Sequence, residues 1–280
     1  MDNTQNIISF CTGYGGLELG IKRAGVDVRT VCNVEIEAFV QANLVAKIEE
    51  GRLHPAPIFT NLKTLPFREF LGKVSILSGG FPCQPFSQAG LRKATDDPRH
   101  LYPFIAEGIS QCKPAFVFLE NVQGIISAKT HEGESVLHYV CRDLESRGYK
   151  VSWGVFSAEE CGFPHQRKRV FILGISNTKE LVNTNCEGFQ GQSQRQNWFS
   201  HDTWETSEWV ETKIPARPNE PQHEWEYPRV ITKGIPQPKL GGESDGFRNR
   251  DNRLRLLGNG VVPQVAAKAF KTLLQKNLTT

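Results

Sequence analysis

The apolar run Val74-Ser75-Ile76-Leu77-Ser78 leads into Gly79-Gly80-Phe81-Pro82-Cys83-Gln84-Pro85-Phe86-Ser87, which sets a cysteine between two prolines. The run has the length of a buried strand. Proline fixes its own φ and pushes the residue before it out of the helical region. The chain therefore leaves a strand through a stiffened, non-helical turn that carries Cys83. Such a cysteine can be a small buried residue of a proline-rich loop or a nucleophile held in one place. The flanking phenylalanines and the partner segments described below favour the nucleophile.

Short apolar runs recur, separated by helical periodicity. Residues 7–10 read as a first strand, followed by a glycine turn and a helix from Leu17 that stops at Gly25. Residues 28–34 read as a second strand. The next helix starts at Glu37, with Val40, Leu44, Val45 and Ile48 on one face and Gly51 as its stop. After the strand at 74–78, a helix is predicted over 101–111 and a continuously apolar, buried strand over 115–119. Leu137, Val140, Cys141 and Leu144 mark a further helix closed by Gly148. Residues 151–156 and 169–174 read as a strand pair. Strands alternating with helices predict an α/β fold with a Rossmann-like, mostly parallel sheet.

The texture changes after Gly174. Residues 183–197 are rich in Asn, Gln, Gly and Ser and read as a loop. Trp198, Trp204, Trp209 and Trp225 then fall among Pro215, Pro218, Pro221, Pro228, Pro236 and Pro238, which forbid long helices. A small, irregular second domain over 177–251 is predicted, its tryptophans forming a modest core. It separates a catalytic and cofactor-binding domain at 1–176 from a C-terminal segment at 252–280. A helix over 263–274 carries Val265, Ala266, Ala269, Phe270 and Leu273 on its apolar side.

Composition narrows the classes further. No apolar run approaches the roughly 20 residues of a membrane span, and the N-terminus lacks the regions of a signal peptide. Seven cysteines, odd in number and scattered, form neither a disulfide framework nor a CxxC metal pair. A reducing cytoplasm and no metal are expected. A net charge of +3 does not by itself indicate nucleic acid. Arg248, Arg250, Arg253 and Arg255 crowd together, as do Gln166-Arg167-Lys168-Arg169, and either group can be a solvated surface.

Gly13, Glu35, Cys83 and Glu120 each fall at or just beyond the carboxyl end of a predicted strand. In an open parallel sheet those ends share the edge where ligands bind. Gly13-Tyr14-Gly15-Gly16 lets backbone approach a ligand, and Glu35 follows at the spacing of a carboxylate that grips ribose hydroxyls. A tight strand–helix turn would use the same glycines. The pattern fits a nicotinamide loop poorly, because Glu18 stands where a third glycine is needed. Glu120, at the end of an apolar strand, is expected to have a raised pKa. It could otherwise cap a helix, as could Asn121.

Cys11-Thr12-Gly13-Tyr14-Gly15-Gly16, Glu35, Phe81-Pro82-Cys83-Gln84, Glu120-Asn121-Val122, Gln166-Arg167-Lys168-Arg169 and Gly258-Asn259-Gly260-Val261 resemble, in order and spacing, the motifs of the cytosine-5 DNA methyltransferases of bacterial or phage type. The resemblance implies a class I S-adenosylmethionine-dependent methyltransferase that modifies carbon 5 of a cytosine flipped out of double-stranded DNA. It implies catalytic roles for Cys83, Glu120, Arg167 and Arg169. Cys83 would add to carbon 6, Glu120 would act at ring nitrogen 3, and the arginines would contact the base oxygen and a phosphate. It implies S-adenosylmethionine contacts from Cys11, Thr12, Gly13, Tyr14, Gly15, Gly16, Glu35, Asn61, Leu62, Pro82, Leu101, Asn259, Gly260 and Val261. Phe81, Gln84, Ser87 and Asn121 would face the base or the DNA. Three positions depart from the usual pattern. Cys11 stands for a phenylalanine, Asn61 for an aspartate and His165 for a glutamine.

Base flipping calls for a lid, and residues 87–99 fit one, with Gly90 as hinge and Arg92 and Lys93 as phosphate contacts. The last helix is implied to pack back on the first domain, and a monomer is expected. Target choice should reside in 177–251, and a restriction-modification setting is one of several open. Two other readings are weaker. A tRNA-modifying branch of the family typically has a second proline where Phe81 stands, and an inactive binding module would have had to spare every main catalytic position.

Overall fold

A computed structural model describes residues 4–82, 101–130, 132–177 and 250–279, with a few positions between 221 and 237. The chain runs β1 (Gln5–Phe10), α1 (Gly16–Arg23), β2 (Val28–Val34), α2 (Ala38–Glu49), β3 (Ile58–Phe59) and β4 (Ile76–Gly80). It continues through α3 (Tyr102–Cys112), β5 (Phe116–Val122), α4 (Val136–Ser146), β6 (Tyr149–Phe156) and β7 (Arg169–Ser176). A two-stranded antiparallel pair, β8 (Val230–Thr232) and β9 (Ile235–Gln237), precedes α5 (Arg250–Asn259) and α6 (Pro263–Thr279).

Among the described residues the main sheet has seven strands in the order β3-β2-β1-β4-β5-β7-β6. The strands from β3 to β5 pair in parallel, and β7 lies antiparallel between β5 and β6. The chain winds outward from β1 to β3, then crosses back to lay β4 on the other side of β1. That reversal is the point where an open α/β sheet opens a crevice at the carboxyl ends of its strands.

Alternation along each strand divides the core in two. Ile7, Ile76, Phe116, Phe118, Phe171 and Leu173 share one cluster with Leu17 and Ile21 of α1 and with Val265, Ala266, Phe270 and Leu273 of α6. Ile8, Phe10, Leu77, Val117, Leu119, Val170 and Ile172 share the other with Ile105 and Ile109 of α3 and Val140 and Leu144 of α4. Phe118 anchors the first cluster, with its ring stacked on Phe171 and set edge-on to Phe270 at 5.1 Å.

α1 and α6 lie unusually close. A Cβ added to Gly16 would collide with the Val261 carbonyl oxygen, and one added to Gly20 would collide with Ala266 Cβ and stand 3.0 Å from Pro263 O. Two glycines one helical turn apart therefore admit the C-terminal helix. α6 is further tied down by Ser152 Oγ donating to Leu273 O at 3.0 Å and by Asn277 Nδ2 donating to Leu173 O at 3.4 Å.

The structure departs from the sequence expectations in several places. The strand predicted at 74–78 instead spans Ile76–Gly80, because Gly79 and Gly80 pair with Leu119 and Glu120 of β5. Pairing with a neighbouring strand overrides the low strand propensity of glycine. Val45, assigned to the apolar face of α2, is 43% exposed, and that helix buries only Val40 and Leu44. β3 and α5 had no counterpart in the periodicity. α6 runs on to Thr279, past the predicted end at 274. The lid and most of residues 177–251 lie outside the described residues.

Replacing a helix-interior glycine by alanine ordinarily stabilises by roughly 1 kcal/mol. Gly20→Ala is expected to do the opposite, losing about 1–3 kcal/mol through overpacking against Ala266. The midpoint of urea unfolding measures the sign.

Candidate active site

The carboxyl ends of β1 to β5, the start of β7 and the end of α5 carry most of the described residues singled out by sequence. The turn after β1 is tight, with Cys11 at φ 50°, Gly13 at 57° and Gly15 at 84°. Gly15 forms the N-cap of α1 in the left-handed region, where a side chain is disfavoured. The turn aims the Gly13 N–H at Glu35, whose Oε2 accepts it at 3.0 Å. Glu35 Oε1 accepts from the Glu37 N–H at 3.0 Å, so the carboxylate is fixed from both sides. Each oxygen keeps a lone pair for another donor, such as a hydroxyl. The Glu35 N–H donates to Phe59 O at 2.9 Å, which sets the end of β3 beside it. Two residues on, Asn61 Oδ1 caps a short turn by accepting from the Lys63 N–H at 2.9 Å, with Leu62 buried behind it.

Cys11 and Thr12 serve the turn itself. Thr12 Oγ1 donates to Ser9 O at 3.1 Å and accepts from the Val34 N–H at 3.2 Å, bracing β1 against β2. Burial, reinforced by the Glu35 carboxylate, pushes the Cys11 thiol up to about 12, so it stays protonated. Glu18 is also buried, with Oε1 accepting from Ser78 Oγ at 2.7 Å, and its burial raises its pKa. It ties α1 to the strand that leads to Cys83.

Register places the acid. Gly80 of β4 pairs with Glu120 of β5, and Phe171 of β7 pairs with Glu120 from the other side. Arg169, two residues before Phe171, lies on the same sheet face as Glu120 and meets it diagonally. Their ion pair, Nε to Oε1, is 3.1 Å. Glu120 is only 7% exposed. Burial raises its pKa to about 7, against the opposing pull of Arg169 and Arg167. A carboxyl with such a pKa exchanges a proton near neutrality.

On the opposite face of β5, Asn121 is 1% exposed. Its Nδ2 donates to Phe81 O at 2.9 Å, and its Oδ1 accepts from the Val122 N–H. Phe81 is buried against Tyr102, ring centroids 5.7 Å apart. The resemblance had assigned both residues to the DNA side. Here their side chains face inward, because strand alternation points Asn121 away from Glu120, and they anchor the chain two residues before Cys83. Pro82 is exposed, and Leu101 caps the start of α3, half-buried against the core. Cys83, Gln84 and Ser87 lie outside the described residues.

The C-terminal motif closes on the glycine turn. Tyr14 Oη donates to Val261 O, and Arg167 Nη2 donates to the carbonyls of Gly258, at 2.7 Å, and Gly260. Asn259 is exposed between them. The arginine expected at the base and phosphate is thus engaged with the C-terminal motif. Three contributors were missed by sequence reasoning. Lys47 Nζ donates to Tyr14 O at 2.9 Å and lies over its ring, and Arg255 pairs with Glu37. Ile36, next to Glu35, is 69% exposed. Its position next to Glu35 was the only available signal.

Among the described residues no cluster of His, Cys, Asp and Glu could hold a metal ion, and no helix is long and apolar enough to cross a membrane.

Residues 5–234 match the family described as C-5 cytosine-specific DNA methylase. The chain is 36% identical over 176 residues to the Type II methyltransferase M.NlaX of Neisseria lactamica, covering 61% of this chain and 52% of that protein. It is 27% identical over 190 residues to the Type II methyltransferase M.BsuRI of Bacillus subtilis, covering 61% and 43%. The match thus spans about half the length of these curated relatives. Among solved structures, a DNMT2 mutant of Spodoptera frugiperda shares the fold with a TM-score of 0.50 at 21% identity, over 62% of this chain and 50% of that one.

The raised pKa of Glu120 has a consequence for stability. Between about pH 4.5 and 7 the folded protein holds a proton that the unfolded chain has released. This contribution is full below pH 4.5 and is lost as pH rises through about 7. Glu120→Gln removes the dependence. Relative to wild type the variant should gain stability on going from pH 5 to pH 8, by on the order of a few kcal/mol, read by urea unfolding at both pH values.

Proposed function

Because the chain belongs to the C-5 cytosine-specific DNA methylase family, we propose that it methylates carbon 5 of cytosine in double-stranded DNA with S-adenosylmethionine as donor. The observation that carries the reading is Glu120, a buried carboxyl titrating near neutrality, paired in register with Gly80 three residues before Cys83.

The fixed carboxylate of Glu35 suits ribose hydroxyls, and the turn through Cys11, Thr12, Gly13, Tyr14, Gly15 and Gly16 suits close approach of a ligand. Asn61, Leu62, Pro82, Leu101, Asn259, Gly260 and Val261 complete the proposed cradle, and Ile36 adds apolar surface for a purine. S-adenosylmethionine bound there supplies an electrophilic methyl group.

The chain's own residues activate the base. Carbon 5 of cytosine is a poor nucleophile, and addition of the Cys83 thiolate to carbon 6 makes the ring enamine-like. Negative charge builds at nitrogen 3, where protonated Glu120 donates. Arg169 holds the Glu120 carboxyl in place and steadies it once its proton has gone. After carbon 5 has taken the methyl group, with S-adenosylhomocysteine as the departing product, a base removes the carbon-5 proton, the sulfur–carbon 6 bond breaks to return the Cys83 thiolate, and the proton lent to nitrogen 3 goes back to Glu120. Gln84 and Ser87 are proposed to face the base, residues 87–99 to close over it, and residues 177–251 to choose the target. Free cysteines among the described residues agree with a cytoplasmic protein, proposed to act as a monomer.

Transfer of tritiated methyl to duplex DNA tests the proposal. Wild type should label DNA, Cys83→Ala should lose activity by at least about 10³-fold, and Glu120→Gln by about 10²-fold or more. Full activity in Cys83→Ala would refute the nucleophile, and labelling of tRNA in place of DNA would refute the substrate.

A further inference from the structure

Residues 258–261 form a strap across the back of the glycine turn, and it is fastened from two sides. On one side lies Tyr14. Its hydroxyl donates to Val261 O, and a Cβ added to Gly260 would collide with its ring. Tyr14 is in turn held by Lys47, whose Nζ donates to its carbonyl at 2.9 Å and lies over its ring, 4.9 Å from the centroid. On the other side lies Arg167, whose Nη2 reaches the carbonyls of both Gly258 and Gly260.

Arg167 adopts φ 37°, a left-handed conformation that disfavours a side chain. Bonds from a charged donor to backbone carbonyls are among the stronger ones and offset that cost. The planar guanidinium suits two acceptors two residues apart. Its position just before β7 puts it two residues from Arg169, the partner of Glu120. Glu120 is paired with Arg169, Arg167 two residues earlier in the chain holds Gly258 and Gly260, Gly260 packs on Tyr14, and Gly13 next to Tyr14 is held by Glu35.

We propose that Arg167 is a positioning residue for the cofactor site, acting through the Gly258 and Gly260 carbonyls, so that the base-activating side and the cofactor side of the crevice are coupled. The inference rests on the reading of that crevice as an S-adenosylmethionine site. It assigns Arg167 a part that contact with base or phosphate would not explain. Losing those bonds loosens the strap and weakens cofactor affinity before any DNA is present. By reciprocity, bound cofactor tightens the hold on Arg167.

Two measurements on the full chain without DNA test this, hydrogen exchange of residues 256–262 and calorimetric titration with S-adenosylmethionine. Arg167→Ala should exchange that segment faster and bind the cofactor about ten-fold more weakly, as expected for lost charge-assisted hydrogen bonds. Arg167→Lys keeps a charged donor without the planar guanidinium and should recover only part of the affinity. In turnover, KM for S-adenosylmethionine should rise by a larger factor in Arg167→Ala than KM for DNA. Cofactor affinity within about two-fold of wild type in Arg167→Ala would overturn the proposal, whether or not exchange changes. Should that variant fail to fold, Arg167→Gln carries the same comparison. If wild type bound no S-adenosylmethionine, the proposed function would fall. Unchanged exchange in Arg167→Ala would by itself overturn the strap.

Discussion

The close seating of the C-terminal segment on α1 sets the terms for the rest of the molecule. Without side chains at Gly16 and Gly20, the Val261 carbonyl and Ala266 come within contact of the first helix. The chain's last helix then fills the core between α1 and strands β6 and β7, with Phe270 against Phe116 and Phe118. The same seating brings Gly260 onto Tyr14 and orders the turn that holds Glu35. Residues more than two hundred positions apart in the chain thereby build one wall of one crevice.

A second constraint is the burial of Glu120. A carboxyl at the end of an apolar strand destabilises the fold when it ionises, and the nearby arginines offset this only in part. A fully solvated carboxylate would be ionised at neutral pH and have no proton to give. A carboxyl with no cationic neighbour would hold its proton too tightly to serve as an acid near pH 7.

Much of this was legible in sequence. The apolar runs at β1, β2 and β5, the glycine stops of α1 and α4, and the apolar stripe of α6 all recur in the structure near where periodicity put them. Gly13 and Glu35 were placed just beyond strand ends by the same reasoning, whereas β5 runs past its predicted end at 119 to Val122 and takes Glu120 inside it. Other features were not legible because they depend on partners distant in the chain. β4 extends over two glycines only because β5 pairs with them. The inward turn of Asn121 follows from alternation counted from Glu120, which needed the true strand limits. The engagement of Arg167 with Gly258 and Gly260 crosses more than ninety positions and leaves no local pattern. Gly16 and Gly20 looked like loop and helix glycines, and nothing in their neighbourhood announced the helix that rests on them.

Mass spectrometry of the protein mixed with S-adenosylmethionine and duplex DNA carrying 5-fluorocytosine tests the account most directly. Fluorine at carbon 5 cannot leave as a proton does, so the sulfur–carbon bond should persist. The account predicts a species whose mass equals protein plus one DNA strand plus a methyl group, absent from Cys83→Ala. Methylated product accumulating from ordinary cytosine, with no such species from the fluorinated duplex, would contradict it.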